Sequence, residues 1–257
     1  MLRGLRQTLK DAYRCGPAFA AAGLRQARGT GLVAWRSDGH RLVARRGMSD
    51  FETFRQVFRN RDYDLDAAYE RRVMDRYRAI VAAGQCPVIV DAGANVGAAT
   101  LWLARKYPEA RLLAVEPEPD NARILRENVG GLRRVTIVEA AIGSAGGFVS
   151  VTGDHSGWAA RTERSAAGVA VVTIPDLVAS VPGGTLFAVK VDIEGFEDDL
   201  FAAETGWLDA LEVLWVEPHD WLFPDRRTSG NLQREMGRRE FALLIRGENL
   251  TYVRHRK

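Results

Sequence analysis

The sequence predicts an α/β fold: a doubly wound, mostly parallel sheet closed by an antiparallel strand pair and preceded by an N-terminal helical and hairpin extension. Three observations predict it. Short apolar runs rich in β-branched residues alternate with helix-compatible segments. The connections between them are only a few residues long, which suits right-handed crossovers in a parallel sheet. Acidic residues recur where successive strands end, as expected of a shared polar cleft at the carboxyl edge of such a sheet.

Taken in order, Leu2, Leu5, Leu9, Ala12 and Tyr13 recur at three- and four-residue spacing, so an amphipathic helix is expected up to the break at Gly16-Pro17. Residues 32–36 and 41–45 flank Ser37-Asp38-Gly39-His40, whose Asp-Gly dipeptide predicts a tight hairpin. These elements make residues 1–48 an extension and 49–257 the main domain. Ser49-Asp50 is placed to cap a helix through Phe51, Phe54, Val57 and Phe58; residues 64–83 predict a longer helix closed by Gly84. Tyr63 lies between them and is expected in the core.

The main sheet begins at Val88-Ile89-Val90-Asp91, a run that passes through Gly93 and Gly97 into a helix over 98–107. Strands follow at 110–116 and 134–139, around a helix at 119–129. Residues 143–168 are polar and glycine-rich, too long for a plain connection, and predict a substrate-facing loop or short hairpin carrying His155, Ser156, Trp158 and Arg161. Residues 169–174 predict a strand and 175–180 a short helix. Two further central strands are expected at 186–192 and 211–217, and 241–245 with 250–253 read as the closing pair.

At 257 residues with a net charge of +3, the chain is large enough for a substantial core. Charge is uneven: residues 1–46 hold ten basic side chains against Asp11 and Asp38, a local +8 that leaves −5 for the rest. Such an arm could favour an anionic surface, although a solvated arginine-rich face is the preferred reading. Its arginine richness also suits a mitochondrial presequence, against which Asp11 argues only weakly. Cys15 and Cys86 lack the spacing of a zinc site and predict free thiols. No apolar run approaches the length of a membrane span, so a cytoplasmic protein, peripheral to a membrane at most, is expected.

Asp91, Glu116, Glu139, Asp192, Glu194 and Glu217 all sit at strand ends. Glu116, about 25 residues after Asp91, is placed to accept hydrogen bonds from both hydroxyls of a ribose, which implies a nucleoside cofactor. Two such cofactors fit, a dinucleotide and S-adenosylmethionine. The turn Asp91-Ala92-Gly93-Ala94-Asn95-Val96-Gly97 lacks the middle glycine that brings a pyrophosphate close, and the charge on Asp91 suits a sulfonium better. His219, in Glu217-Pro218-His219-Asp220, reads either as a base or as a structural imidazole bonded to Asp220. Asp192 and Glu194 are oxygen donors fit for Mg²⁺, but the sequence presents no clear third ligand and no metal is expected.

The turn at 90–97, Val115-Glu116-Pro117, and the run Val189-Lys190-Val191-Asp192-Ile193-Glu194-Gly195-Phe196-Glu197 resemble an FkbM-type, S-adenosylmethionine-dependent methyltransferase with a Rossmann-like fold, from about Asp50 to Tyr252. The resemblance implies that Gly93, Ala94 and Gly97 hold the methionine portion, with Asp91 and Asn95 orienting it. It further implies that Glu116 takes the ribose and that Glu139, Ala140 and Ala141 border the adenine. Asp192, Glu194 and Glu197 match the family's acidic motif, and Asp192, Glu194 and His219 are the candidate catalytic residues. The acceptor implied is a hydroxyl on a sugar, glycolipid or polyketide-type metabolite. The competing expectations are an NAD-dependent oxidoreductase and a non-catalytic protein that binds membrane or, less readily, nucleic acid through the basic arm.

Overall fold

The computed structural model describes residues 2–26, 29–153 and 160–255. Helix α1 (Leu2–Cys15) stops at Gly16, whose φ of +87° breaks it, and α2 (Pro17–Gln26) starts on the proline. The hairpin of β1 (Leu32–Ser37) and β2 (His40–Arg45) pairs Ser37 with His40 across Asp38-Gly39, both at positive φ. Helix α3 (Asp50–Phe54) widens into a π-helical turn over Arg55–Asn60, where Arg55 and Arg59 both reach Asp11 of α1. Helix α4 (Ala67–Ala82) begins three residues later than the composition suggests, because Asp66 is extended.

Seven strands form the main sheet: β3 (Cys86–Ala92), β4 (Arg111–Val115), β5 (Val135–Val138), β10 (Gly184–Val191), β11 (Val213–Val216), β12 (Phe241–Arg246) and β13 (Asn249–Arg254). Their order is β12-β13-β11-β10-β3-β4-β5, parallel from β11 to β5, with β13 and β12 antiparallel at the far edge. Chain order reverses between β3 and β10, so the crevice beyond the ends of these two strands is where a ligand is expected.

Helices α5 (Ala98–Lys106) and α6 (Pro119–Val129) cover one face together with α4. Helices α7 (Ile174–Ala179), α8 (Glu197–Leu200) and α9 (Gly230–Met236) cover the other. Alternation along β3 divides its side chains between the two cores, with Ile89 in the first and Val88 and Val90 in the second. Phe19, Trp35, Leu42 and Phe51 belong to the first core, so the N-terminal elements share their packing with the sheet.

The interval at 143–168 contains the predicted hairpin, β7 (Gly147–Gly153) against β8 (Ala160–Ser165). With β6 (Ala141–Ile142) and β9 (Val169–Val172) it forms a separate four-stranded sheet, so the strand expected at 169–174 does not join the main one. His155, Ser156 and Trp158 lie outside the described residues. Both cysteines are free thiols, as expected. Among the described residues no helix is long and apolar enough to cross a membrane.

Candidate functional site

β3 ends in a turn held by its own backbone. The N–H groups of Gly93 and Ala94 both donate to the Val115 carbonyl, at 3.0 and 2.9 Å, which ties the turn to the end of β4. Gly93 has φ +75°, and a Cβ there would stand 1.7 Å from the Asp192 carbonyl oxygen. Gly97 has φ +88° and faces Leu125 and Val129 of α6 at distances that leave no room for a side chain. These glycines let the ends of β3, β10 and α6 close on one another.

Asp91 is fully buried beneath the turn. Its carboxylate accepts the Thr100 hydroxyl at 2.6 Å and lies 3.2 Å from Lys190 Nζ. Lys190, also buried, donates to the Gly93 carbonyl at 2.5 Å and stands 3.5 Å from Asp192. Burial alone would lower its pKa, but Asp91 and Asp192 more than offset that and hold the ammonium charged. The charge on Asp91 is therefore matched internally, which removes it as an argument about the ligand.

The cleft beside this turn encloses about 670 Å³, part of it open to solvent. Gly93, Asn95, Glu116, Ala140, Ala141, Asp192 and Glu194 line it, together with Asn121 and Phe196 and with Val151 and Thr162 of the small sheet. Four residues expected at the cofactor do not line it. Asp91 and Ala94 are packed under the turn, and Gly97 starts α5. Glu139 points outward and pairs with Arg126, because the chain turns in only at Ala140.

Glu116 is 4% exposed and accepts three hydrogen bonds from its surroundings. Oε2 takes the Asn95 N–H at 2.7 Å; Oε1 takes the Glu118 N–H at 3.0 Å and the Asn121 amide at 3.3 Å. Asn121 is in turn held by Arg45 of the N-terminal hairpin at 2.6 Å, and Arg45 is held by Asp50. Burial pushes the Glu116 carboxyl up to about 7 even though these donors pull it down.

The other end of the cleft is acidic. Beyond β10 the chain turns through Glu194 and Gly195, at φ +53° and +90°, and Asp192 and Glu194 face the cleft. A non-glycine residue held in this left-handed region marks a locally strained turn of the kind that concentrates at functional sites. Behind them His219, 2% exposed, is bonded through Nδ1 to Oε1 of the buried Glu197 at 2.8 Å, not to Asp220. Its Nε2 faces Glu194 at 3.5 Å, Asp192 at 3.6 Å and Glu217 at 3.9 Å.

Burial would lower the imidazole's pKa, but the hydrogen bond and charge of Glu197, then Asp192 and Glu194, raise it to about 9. Burial, with Asp192 next, pushes Glu194 and Glu217 upward. The histidine is the third donor that the sequence did not present: ligand atoms of Asp192, Glu194 and His219 lie within 4.8 Å of one another. Lys190 and the His219–Glu197 pairing also escaped sequence reasoning. A lysine inside an otherwise apolar central strand was the available signal for the first. Tyr63 packs against Trp102 and Trp215 in the core, as expected.

Comparison with known proteins matches residues 91–226 to the family described as "Methyltransferase FkbM domain". The 2-O-methyltransferase NoeI of Sinorhizobium fredii is 28% identical over 132 residues, 51% of this chain and 52% of that protein. Methyltransferase sdnD of Sordaria araneosa is 39% identical over 69 residues, 26% of this chain and 27% of that protein. The chain thus spans about a quarter to a half of the length of these curated relatives. Among solved structures, the O-methyltransferase TomG of Streptomyces achromogenes in complex with SAM is 17% identical, covering 79% of this chain and 88% of that one, with a TM-score of 0.41. Since the matched segment is more than half of the chain and contains the glycine turn, Glu116 and the Asp192–His219 cluster, the protein belongs to the FkbM family of S-adenosylmethionine-dependent methyltransferases.

Proposed function

We propose that the protein methylates a hydroxyl group of a small molecule, with a sugar, glycolipid or polyketide-type metabolite as the acceptor class, and that His219 is the base. The observation that carries this reading is the His219–Glu197 pair. Glu197 fixes the Nδ1–H, so Nε2 is the atom turned toward the two carboxylates that line the cleft. The 2-O-methyltransferase among the relatives supports oxygen as the acceptor atom.

The cleft suits S-adenosylmethionine in its own chemistry. Glu116, with an open lone-pair direction, supports ribose hydroxyl binding; Ala140 and Ala141 offer a flat apolar border for adenine; Asp192 puts negative charge near a sulfonium, with Glu194 as a further polar group beside it. A dinucleotide fits less well, because the N–H groups of Gly93, Ala94 and Asn95 already serve Val115 and Glu116 and are not offered to a pyrophosphate. When bound, S-adenosylmethionine would supply an electrophilic methyl group, whose bond to sulfur breaks as the bond to the acceptor oxygen forms and releases S-adenosylhomocysteine. Asp192 and Glu194 orient the acceptor hydroxyl at the cleft wall, and Nε2 of His219 takes its proton as the oxygen attacks. An aliphatic alcohol is too weak an acid to react well without that transfer.

The test combines methyl-labelled S-adenosylmethionine with a panel of hydroxylated saccharides, glycolipids and polyketides. Label on oxygen, lost in His219→Asn while the demethylated cofactor still binds, is the expected result. Label on nitrogen or carbon, or no binding of S-adenosylhomocysteine by folded protein, overturns the reading.

The clustering of Asp192, Glu194 and His219 also favours a second reading, in which the three hold a divalent cation that acidifies the hydroxyl. Glu197 would then orient a ligand rather than a base. Turnover that survives chelation supports the base; turnover abolished by chelation and restored by Mg²⁺ or Mn²⁺ supports the ion.

A further inference from the structure

We infer that α1 is an interfacial anchor that seats the protein on an anionic lipid surface. The amphipathic periodicity of α1 is real, but the helix is mounted with its polar side inward. Asp11, its one acid, is fully buried and paired with Arg55 at 2.8 Å and Arg59 at 3.1 Å. Gln7, Thr8, Ala12 and Cys15 accompany it on the inner side, all half-buried. Leu5, Leu9 and Tyr13 follow one another at four-residue steps on the opposite side and are 59%, 60% and 87% exposed. A helix that merely packs on a body turns its leucines inward, so this mounting leaves an apolar stripe facing out.

The neighbouring side chains identify the partner's chemistry. Arg6, Lys10 and Arg14 sit one position beyond Leu5, Leu9 and Tyr13, forming a basic row directly beside the apolar one, with no acid on the outer side. The recess along this edge is lined by Arg6, Gln7, Lys10, Arg59 and Asn60, a donor set suited to a phosphate headgroup. Leu24 of α2, a helix packed against α1, adds a further exposed apolar side chain followed by Arg25. An apolar stripe edged by cations on a helix lying flat is the arrangement that binds the headgroup boundary of an anionic bilayer.

Co-sedimentation of the full chain with vesicles tests this. Binding is expected to phosphatidylcholine mixed with phosphatidylglycerol, not to phosphatidylcholine alone, and is expected to weaken as salt rises. Arg6→Gln with Lys10→Gln should lower partitioning about fivefold per charge removed. Leu5→Gln with Leu9→Gln should lower it more than about tenfold, from two apolar insertions lost. All four positions are exposed, so unchanged melting and S-adenosylhomocysteine binding identify folded variants. Failure of the wild-type chain to bind the mixed vesicles overturns the inference, as does binding unaffected by the leucine changes. A wild-type dimer that the leucine variants dissolve, with no vesicle binding, would assign the stripe to a second copy and likewise overturn it.

Discussion

Replacing Glu116 by alanine probes the donor half of the cleft, and the structure sets the size of the effect. The carboxylate satisfies three donors of its own chain, the Asn95 and Glu118 N–H groups and the Asn121 amide. A buried donor left without a partner costs about 1–3 kcal/mol, and water entering the open cleft holds the total loss of stability near about 2–3 kcal/mol. One lone-pair direction of the carboxylate is left for the ribose, and the hydroxyl that uses it loses a charged acceptor worth about 1.5–3 kcal/mol, so affinity for S-adenosylhomocysteine should fall by about 10–150-fold. Glu116→Gln keeps the shape but turns an amide N–H₂ toward one of the chain's own donors, and should weaken binding by an intermediate amount. Calorimetric titration measures the affinity and thermal unfolding the stability. The carboxyl titrates at about 7, above its ordinary 4.5, because of burial. The folded state thus holds a proton that the unfolded chain releases, so stability falls as pH rises from about 4.5 to about 7. Affinity for the cofactor, which needs the carboxylate, should weaken toward tenfold per unit below that upper value. Folded variants that bind S-adenosylhomocysteine within threefold of wild type would refute the assignment of Glu116 to the ribose.

His219→Asn should lower kcat by about 10²–10⁴-fold with cofactor binding little changed. Because Glu197 helps raise the imidazole of the ligand-free protein to about 9, wild-type kcat/KM for the methyl donor should climb with pH toward that value, and Glu197→Gln should move the midpoint to lower pH. A pH–rate profile checks both. Gly93→Ala places a methyl 1.7 Å from a carbonyl oxygen at positive φ and should cost more than about 4 kcal/mol, while Gly131→Ala, with open space around it, should stay within about 0.5 kcal/mol in denaturant titration. Asn128→Ala removes a buried amide that bonds the Val43 N–H and the carbonyls of Val43 and Val96, and should lower stability by about 3 kcal/mol in the same assay.

The donor half of the site was legible because its signal is local. An apolar strand, a carboxylate and two glycines within ten residues describe the turn at Asp91, and Glu116 and Asp192 end apolar strands in the same way. What the turn does with those residues was not legible. Asp91 reads as a ligand contact until Lys190, almost a hundred residues later, is found 3.2 Å from it. Glu139 reads as an adenine contact until the end of β5 sends its side chain outward and Ala140 inward. His219 reads first as a structural imidazole bonded to Asp220 and only second as a base, until α8 brings Glu197 to its Nδ1. The hydrophobic period of α1 was plain, but that period does not say which side faces the body; the Asp11 pairs with Arg55 and Arg59 decide it. The Arg45–Asn121–Glu116 relay joins three distant segments, and pattern reading has no term for such a connection.

The charge around His219 links the two halves of the cleft. Asp91, Asp192 and Glu197 face Lys190 and the imidazole in this cluster, and Glu194 and Glu217, both raised to about 8 by burial and by Asp192, add little charge near neutral pH. Against burial, the hydrogen bond and charge of Glu197, with Asp192 next, raise His219 to about 9 in the ligand-free protein, and an imidazole that keeps its proton cannot accept another. If the proposed methyl donor is held beside Asp192, the positive charge of its sulfonium would lower the imidazole's pKa by the same Coulomb rule that now raises it. The base would therefore become free when the methyl donor is in place and stay blocked when it is not. Lys190 fixes the geometry for this coupling, since one ammonium touches the carbonyl of the glycine turn, the buried Asp91 and the cleft-facing Asp192. On the proposed reading, donor binding and proton removal would then share Asp192, and Asp192→Asn should shift the pH dependence of both.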